Sequence, residues 1–82
     1  MVKVKLYGIA KDIVGQEELS LKIERQIALE DLIKRITKDE RTFLKKVKVI
    51  LINGRNCIFM EGLKTQINAG DLVEMLPLVT GG

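Results

Sequence analysis

Apolar and polar residues alternate at the start of the chain. Val2, Val4 and Leu6 fall on one side and Lys3, Lys5 and Tyr7 on the other, the period of two of a half-buried strand. Gly8 ends the run. The segment Ile9-Ala10-Lys11-Asp12-Ile13-Val14 predicts one or two helical turns, closed by Gly15 at a C-terminal cap position. Leu19, Leu21 and Ile23 then alternate with Ser20, Lys22 and Glu24, a second strand that can pair antiparallel with the first through a long connection. From Ile27 the period changes. Leu29, Leu32, Ile33 and Ile36 form an apolar stripe, which predicts a helix over 28–38. Its acids, Glu30 and Asp31, precede its bases, Lys34, Arg35 and Lys38, as the helix dipole favours. Glu30 and Lys34 are spaced as an i, i+4 pair. A shorter helical turn is predicted over 41–46.

The β-branched run Val47-Lys48-Val49-Ile50-Leu51-Ile52 predicts a strand buried on much of both faces. Asn53-Gly54 predicts a hairpin to a short strand over Cys57-Ile58-Phe59-Met60, with Arg55 and Asn56 available to lengthen the loop. Asn68-Ala69-Gly70-Asp71 is a further turn. It leads into a last strand, Leu72-Val73-Glu74-Met75-Leu76, which Pro77 terminates by removing a backbone donor.

The order strand, strand, helix, strand, short strand, strand implies a two-layer α+β domain, with one main helix across one face of a single sheet and the last strand beside the first. One helix leaves part of the second face open, and apolar residues there mark a partner surface. If Val73 and Met75 face the core, Leu72 and Leu76 are left for docking.

Composition narrows the chemistry. Eighty-two residues, 46% of them hydrophobic, make one domain with a modest core. The net charge of +3 comes from 14 basic and 11 acidic residues scattered along the chain, with one short cluster at Lys45, Lys46 and Lys48. Tyr7, Phe43 and Phe59 are the only aromatics, so the concentrated basic face with stacking rings that nucleic acid requires is missing. The sequence has no run of 18 or more apolar residues and opens on alternating charge and valine, so neither a membrane span nor a signal peptide is expected. It carries a single cysteine, Cys57. A cytoplasmic protein that binds neither nucleic acid nor membrane is expected. Without histidine, and with one cysteine in an apolar run, no metal site and no nucleophile–base pair is expected. The glycines at 8, 15, 54, 62 and 70 are isolated turn glycines and make no phosphate-binding loop.

What remains is the end, Leu76-Pro77-Leu78-Val79-Thr80-Gly81-Gly82. Two terminal glycines carry no Cβ and can thread a narrow channel, presenting an unhindered α-carboxylate. Six residues from Pro77 reach at most about 20 Å when extended. A carboxylate with a pKa of roughly 3.3–3.7 is ionised at neutral pH and a poor electrophile. A second protein must therefore activate it, supplying the nucleotide, the metal and the nucleophile.

The segment from Asn68 to Gly82, with its Ala69-Gly70-Asp71 turn, apolar strand, Pro77 and Val79-Thr80-Gly81-Gly82, resembles the C-terminal signature of the MoaD/ThiS family of ubiquitin-like sulfur carriers. Tyr7-Gly8-Ile9-Ala10-Lys11-Asp12-Ile13-Val14-Gly15 is similar to the family's strand-to-helix segment, as is the strand followed by Asn53-Gly54. The resemblance implies a ubiquitin-like β-grasp fold: a mixed sheet of four to five strands, one main helix, a body over residues 1–76 and a free tail over 77–82. It is strongest to the small subunit of molybdopterin synthase. By that resemblance, an adenylyltransferase related to ubiquitin-activating enzymes uses ATP to convert Gly82 to an acyl-adenylate, and a sulfur donor turns this into a thiocarboxylate. The large synthase subunit then receives the tail and passes the sulfur to the pterin precursor of a molybdenum or tungsten cofactor. Gly82 would be the acyl carrier and Gly81 would give access. Leu76, Pro77, Leu78, Val79 and Thr80 would be gripped by the partner, with strand-like backbone hydrogen bonds along the tail. The chain itself would bind no cofactor and no metal. Family tails often carry aromatics and a second proline where this chain has Met75, Leu76 and Leu78. Carriage for thiamine or tRNA thiolation, protein modification, and a plain β-grasp interaction module are the alternatives.

Overall fold

The N-terminal alternation becomes β1 (Val2–Leu6), with Val2, Val4 and Leu6 buried and Lys3 exposed. The computed structural model describes residues 1–77. α1 (Ile9–Val14) follows and ends as expected: Gly15 takes φ +87°, and its N–H donates to the Lys11 carbonyl at 2.7 Å. β2 (Glu18–Leu21) pairs antiparallel with β1, Leu19 opposite Val4. It stops short of Ile23, which is nonetheless buried.

A two-residue strand that the periodicity did not reveal, β3 (Ile27–Ala28), precedes the main helix α2 (Leu29–Ile36). Ala28 has no capping side chain; the Leu29 N–H instead donates to the Thr65 carbonyl at 2.8 Å. The expected Glu30–Lys34 pair gives way to a long-range one. Lys64 Nζ reaches Glu30 Oε1 at 2.9 Å, and this hydrogen bond holds the Glu30 carboxyl below its usual pKa. α3 (Glu40–Lys46) is a full helix where a turn was expected. Asp39 caps it, accepting from the Thr42 N–H at 3.1 Å and the Thr42 hydroxyl at 2.6 Å.

β4 (Val47–Ile52) turns at Asn53-Gly54 into β5 (Arg55–Asn56). The expected short strand over 57–60 is therefore corrected. The hairpin's return is the pair Arg55–Asn56, and Cys57–Phe59 forms a 3₁₀ turn begun by Asn56, whose Oδ1 accepts from the Ile58 N–H at 3.1 Å. A two-residue turn with φ > 0 at both positions closes at once, leaving no residue for a longer loop. A second 3₁₀ turn, Gly62–Lys64, leads to β6 (Gln66–Ile67), which pairs with β3. β7 (Leu72–Pro77) closes the described chain.

The main sheet runs β2-β1-β7-β4-β5, with β1 and β7 parallel and the other pairs antiparallel. Register stacks Val4, Val73 and Ile52 in one row and Leu6, Met75 and Ile50 in the next. All six are buried, and they join Leu29, Leu32 and Ile33 of α2, Phe43 of α3 and Ala10 of α1 in a single core. The last strand thus occupies the centre of a sheet covered by helices on one side. No helix among the described residues is long and apolar enough to cross a membrane.

Candidate functional site

β7 positions the start of the C-terminal segment by being held on both edges. Leu76 lies opposite Val49 and Pro77 opposite Val47, with a shift in register between Val47 and Val49. Pro77, which was expected to stop the strand after Leu76, is itself paired in β7 and is its last described residue. Of the expected partner-binding residues, Leu76 and Pro77 are described and both are half-buried. Leu78, Val79, Thr80, Gly81 and the expected acyl carrier Gly82 lie outside the described residues.

Two contacts fix this end from the β1 side. The Tyr7 N–H donates to the Met75 carbonyl at 3.0 Å. Next to it Gly8 takes φ +55° and ψ −126° and lies against the proline: a Cβ there would fall 3.0 Å from Pro77 Cγ and 3.3 Å from Cδ. From the other side come Val47 and the exposed lysines 45, 46 and 48 around it.

The sheet's second face carries the other half of the alternation. Val49 and Leu76 are opposite each other, Lys3 is opposite Leu72, and Lys5, Glu74 and Leu51 share a row. Val49, Leu51, Leu72 and Leu76 are each half-buried, a modest apolar stripe between charged residues. Val73 and Met75 do face the core, which leaves Leu72 and Leu76 on the open side. Tyr7 Oη donates to Glu74 Oε2 at 3.0 Å, and this bond, with some desolvation and the Glu74 charge, raises the phenol's pKa above its ordinary value.

Cys57 is 6% exposed, and burial pushes its thiol pKa up, the opposite of what an attacking thiolate needs. Among the described residues no group of three or more His, Cys, Asp and Glu side chains is placed to hold a metal ion. What the described residues offer is an apolar and charged face, with Pro77 at the end of its central strand.

Sequence reasoning missed Gly8 at this site. Gly8 was read as a turn glycine, but its neighbour is 69 positions away, and no local pattern reports that contact. It also missed an exposed apolar group on the 3₁₀ segment, Ile58 (67% exposed), Phe59 (70%), Met60 and Leu63. Reading 57–60 as a short strand of the sheet had hidden it.

Residues 4–82 match the sequence profile of the ThiS family. The chain is 40% identical over 57 residues to a protein of Archaeoglobus fulgidus named as a sulfur carrier; the match takes in 70% of this chain and 62%, less than two thirds, of that relative. It is similar to the solution structure of small archaeal modifier protein 1 from Methanosarcina acetivorans, at 31% identity and TM-score 0.70, over 99% of this chain and 95% of that one. It is also similar to a Pyrococcus furiosus chain named as subunit 1 of molybdopterin converting factor, at 26% identity and TM-score 0.72, over 95% and 97% of the two chains. The five-stranded mixed sheet with its crossing helix is the ubiquitin-like β-grasp of these neighbours.

Proposed function

The chain belongs to the ThiS family, and from that premise we propose that it is a sulfur carrier of molybdopterin biosynthesis whose reactive group is the α-carboxylate of Gly82. In this reading a carboxylate oxygen of Gly82 attacks the α-phosphorus of ATP on an adenylyltransferase related to ubiquitin-activating enzymes, and pyrophosphate leaves. A sulfur nucleophile at the oxidation level of sulfide, provided by a separate donor, adds to the acyl-adenylate carbonyl and expels AMP, leaving a thiocarboxylate. The large subunit of a molybdopterin synthase then takes up the tail, and the sulfur passes to a pterin precursor. The metal, molybdenum or tungsten, enters later as cargo.

The carrier's own residues do three things in this scheme. Residues 1–77, which include the Pro77 end of β7, are the folded body the partners recognise, and 78–82 are the delivered tail. Leu76 and Pro77 contribute to the docking face, while Leu78, Val79 and Thr80 are held along the partner's groove as an added strand. Gly81 keeps the approach to the carbonyl carbon free of a Cβ. The catalytic groups and the nucleotide site belong to the partners, so this chain is not itself an enzyme and binds no cofactor. A reducing cytoplasm suits its single unpaired thiol.

The observation that carries the reading is the family match running through the Thr80-Gly81-Gly82 end, on a chain whose last strand is central and whose second sheet face is open. The molybdopterin pathway draws support from the Pyrococcus furiosus likeness. The modifier name of the Methanosarcina acetivorans neighbour favours a second reading, in which the adenylate is passed to amines of other proteins.

The test is intact-mass measurement of the purified chain after incubation with ATP, sulfide and the E1-related adenylyltransferase. Exchange of one oxygen for sulfur, lost when Gly82 is deleted, supports carriage. Isopeptide-linked ladders favour modification. An unchanged mass leaves a β-grasp interaction module.

A further inference from the structure

The backbone of Gly8 has φ +55° and ψ −126°, a combination that L side chains rarely adopt. Strain alone would explain a glycine there, but a second feature coincides with it. The position a Cβ would occupy points straight at Pro77, 3.0 Å from Cγ, 3.3 Å from Cδ and 4.0 Å from Cβ. The other turn glycines at 15, 54, 62 and 70 also have positive φ, yet a Cβ at any of them would meet nothing within 4 Å. Gly8 is thus the one whose missing side chain is filled by another part of the protein, and that part is the last described residue before the tail.

We propose that Gly8 is a positioning residue for the C-terminal tail: its bare Cα is the seat of the Pro77 ring, and so it sets the direction in which the chain leaves β7. The inference rests on the carrier reading. Proline fixes φ near −65° and has no N–H with which to anchor itself to a neighbouring strand. Its ring must therefore be located by packing. Val47 lies opposite on the β4 side, and the Tyr7 N–H to Met75 carbonyl bond of 3.0 Å holds the β1 side, so Gly8 completes the cradle. A methyl at position 8 would push the ring by several tenths of an ångström. Five residues follow Pro77, so the orientation of its ring sets the direction from which they are offered to a partner. A misplacement of about 1 Å at a reacting group can cost on the order of a hundredfold in rate.

The experiment uses chemically assembled chains and pyrophosphate release with ATP and the E1-related adenylyltransferase, alongside thermal midpoints. Gly8→Ala should lower kcat/KM by roughly tenfold or more. Gly8→D-Ala is the control for backbone strain, because a D residue accepts the mirror of the extended φ, ψ that L residues favour. Its methyl also replaces the other hydrogen of Gly8, away from Pro77. That chain should be charged at the wild-type rate. Pro77→Ala, which empties the seat but leaves the body intact, should slow charging with little change in midpoint. In the Gly8→Ala/Pro77→Ala chain the methyl should add no further loss. The inference is overturned by a folded Gly8→Ala chain charged as fast as wild type, by a D-Ala chain as slow as the L-Ala chain, or by an unaffected Pro77→Ala. If Gly8→Ala does not fold, the Gly8→Ala/Pro77→Ala chain decides: rescue of folding with charging at the Pro77→Ala rate supports the seat, and a double variant that also fails to fold overturns it. A wild-type chain that releases no pyrophosphate overturns the carrier reading itself, and this role with it.

Discussion

On the open face of the sheet the Tyr7 phenol donates a 3.0 Å hydrogen bond to Glu74 Oε2, tying the residue after β1 to the centre of the strand β1 pairs with. Ionising the phenol would remove the donor and set two negative charges together. The hydrogen bond is the largest cause of the raised Tyr7 pKa, ahead of desolvation and the Glu74 charge. The chain has one tyrosine and no tryptophan, so an ultraviolet pH titration reads this group alone. The midpoint should lie above the ordinary 10.0, and Glu74→Gln should bring it down. Because the folded pKa is the higher one, the bond's contribution is complete below the unfolded value and lost as pH climbs through the folded one. Stability should accordingly fall in that alkaline window, and less steeply in Tyr7→Phe. A midpoint at or below the ordinary value contradicts the bond.

A second relationship joins two turns. Asn53 has φ +53°, its Oδ1 accepts from the Leu72 N–H at 2.9 Å, and its Nδ2 donates to Asp71 Oδ1 at 3.0 Å. The other Asp71 oxygen accepts from the Asn68 N–H at 2.8 Å, so the β4–β5 turn is laced to the turn before β7. Asn53→Gly keeps the conformation and loses the bonds, whereas Asn53→Ala loses both. The left-handed conformation costs a side chain roughly 1–2 kcal/mol. Urea denaturation should therefore rank wild type above Asn53→Gly and Asn53→Ala about 1 kcal/mol below the glycine variant. Equal stabilities for the two variants would mean that the backbone conformation is not what selects Asn53.

The parts of this fold that the sequence disclosed are those written locally. Val2, Val4 and Leu6 alternate because one face of β1 is buried, and Leu29, Leu32 and Ile33 recur because α2 buries one stripe. The parts it withheld depend on partners far along the chain. β3 and β6 are two residues each, too short to show a period, and exist because Ile27 meets Ile67. Glu30 chose Lys64 over Lys34 for the same reason: the Gly62–Lys64 turn packs against α2, which no spacing rule can see. At the candidate site, Leu76 and Pro77 were named from their motif, whereas the approach of Gly8 to Pro77 could not be, since Gly8 reads as an ordinary turn glycine until the fold brings it there.

Cys57 offers a prediction about where sulfur does not travel. The thiol is buried and its pKa is raised chiefly by desolvation, so little thiolate forms at neutral pH. Reaction with a disulfide reagent should be slow in native buffer and should accelerate with added urea, in step with opening of the fold. Cys57→Ala should still be charged with sulfur at its C-terminus, as judged by intact mass. Labelling at the rate of a free thiol in the native state would show that the site is accessible and would reopen a role for Cys57.

The pairing of Leu76 with Met75 gives the sharpest separation between folding and docking. These neighbours point to opposite sides of β7: Met75 is fully buried opposite Ile50, while Leu76 is half-buried on the open face opposite Val49. Met75→Lys would force a charge into the core between Leu6 and Ile50, leaving it unpaired in a low-dielectric interior. It should unfold the protein outright, since domains of this size hold only about 5–15 kcal/mol. Leu76→Lys puts the same charge where the butyl stem can lie along the sheet and the ammonium can reach water. Its thermal midpoint should stay near wild type. If the open face is where the adenylyltransferase docks, the same substitution should raise KM for the carrier with kcat little changed, because contact with the partner is weakened while the tail is untouched. A folded Leu76→Lys chain with unaltered KM would move the docking surface elsewhere, and the exposed Ile58, Phe59 and Met60 group would be the next face to substitute.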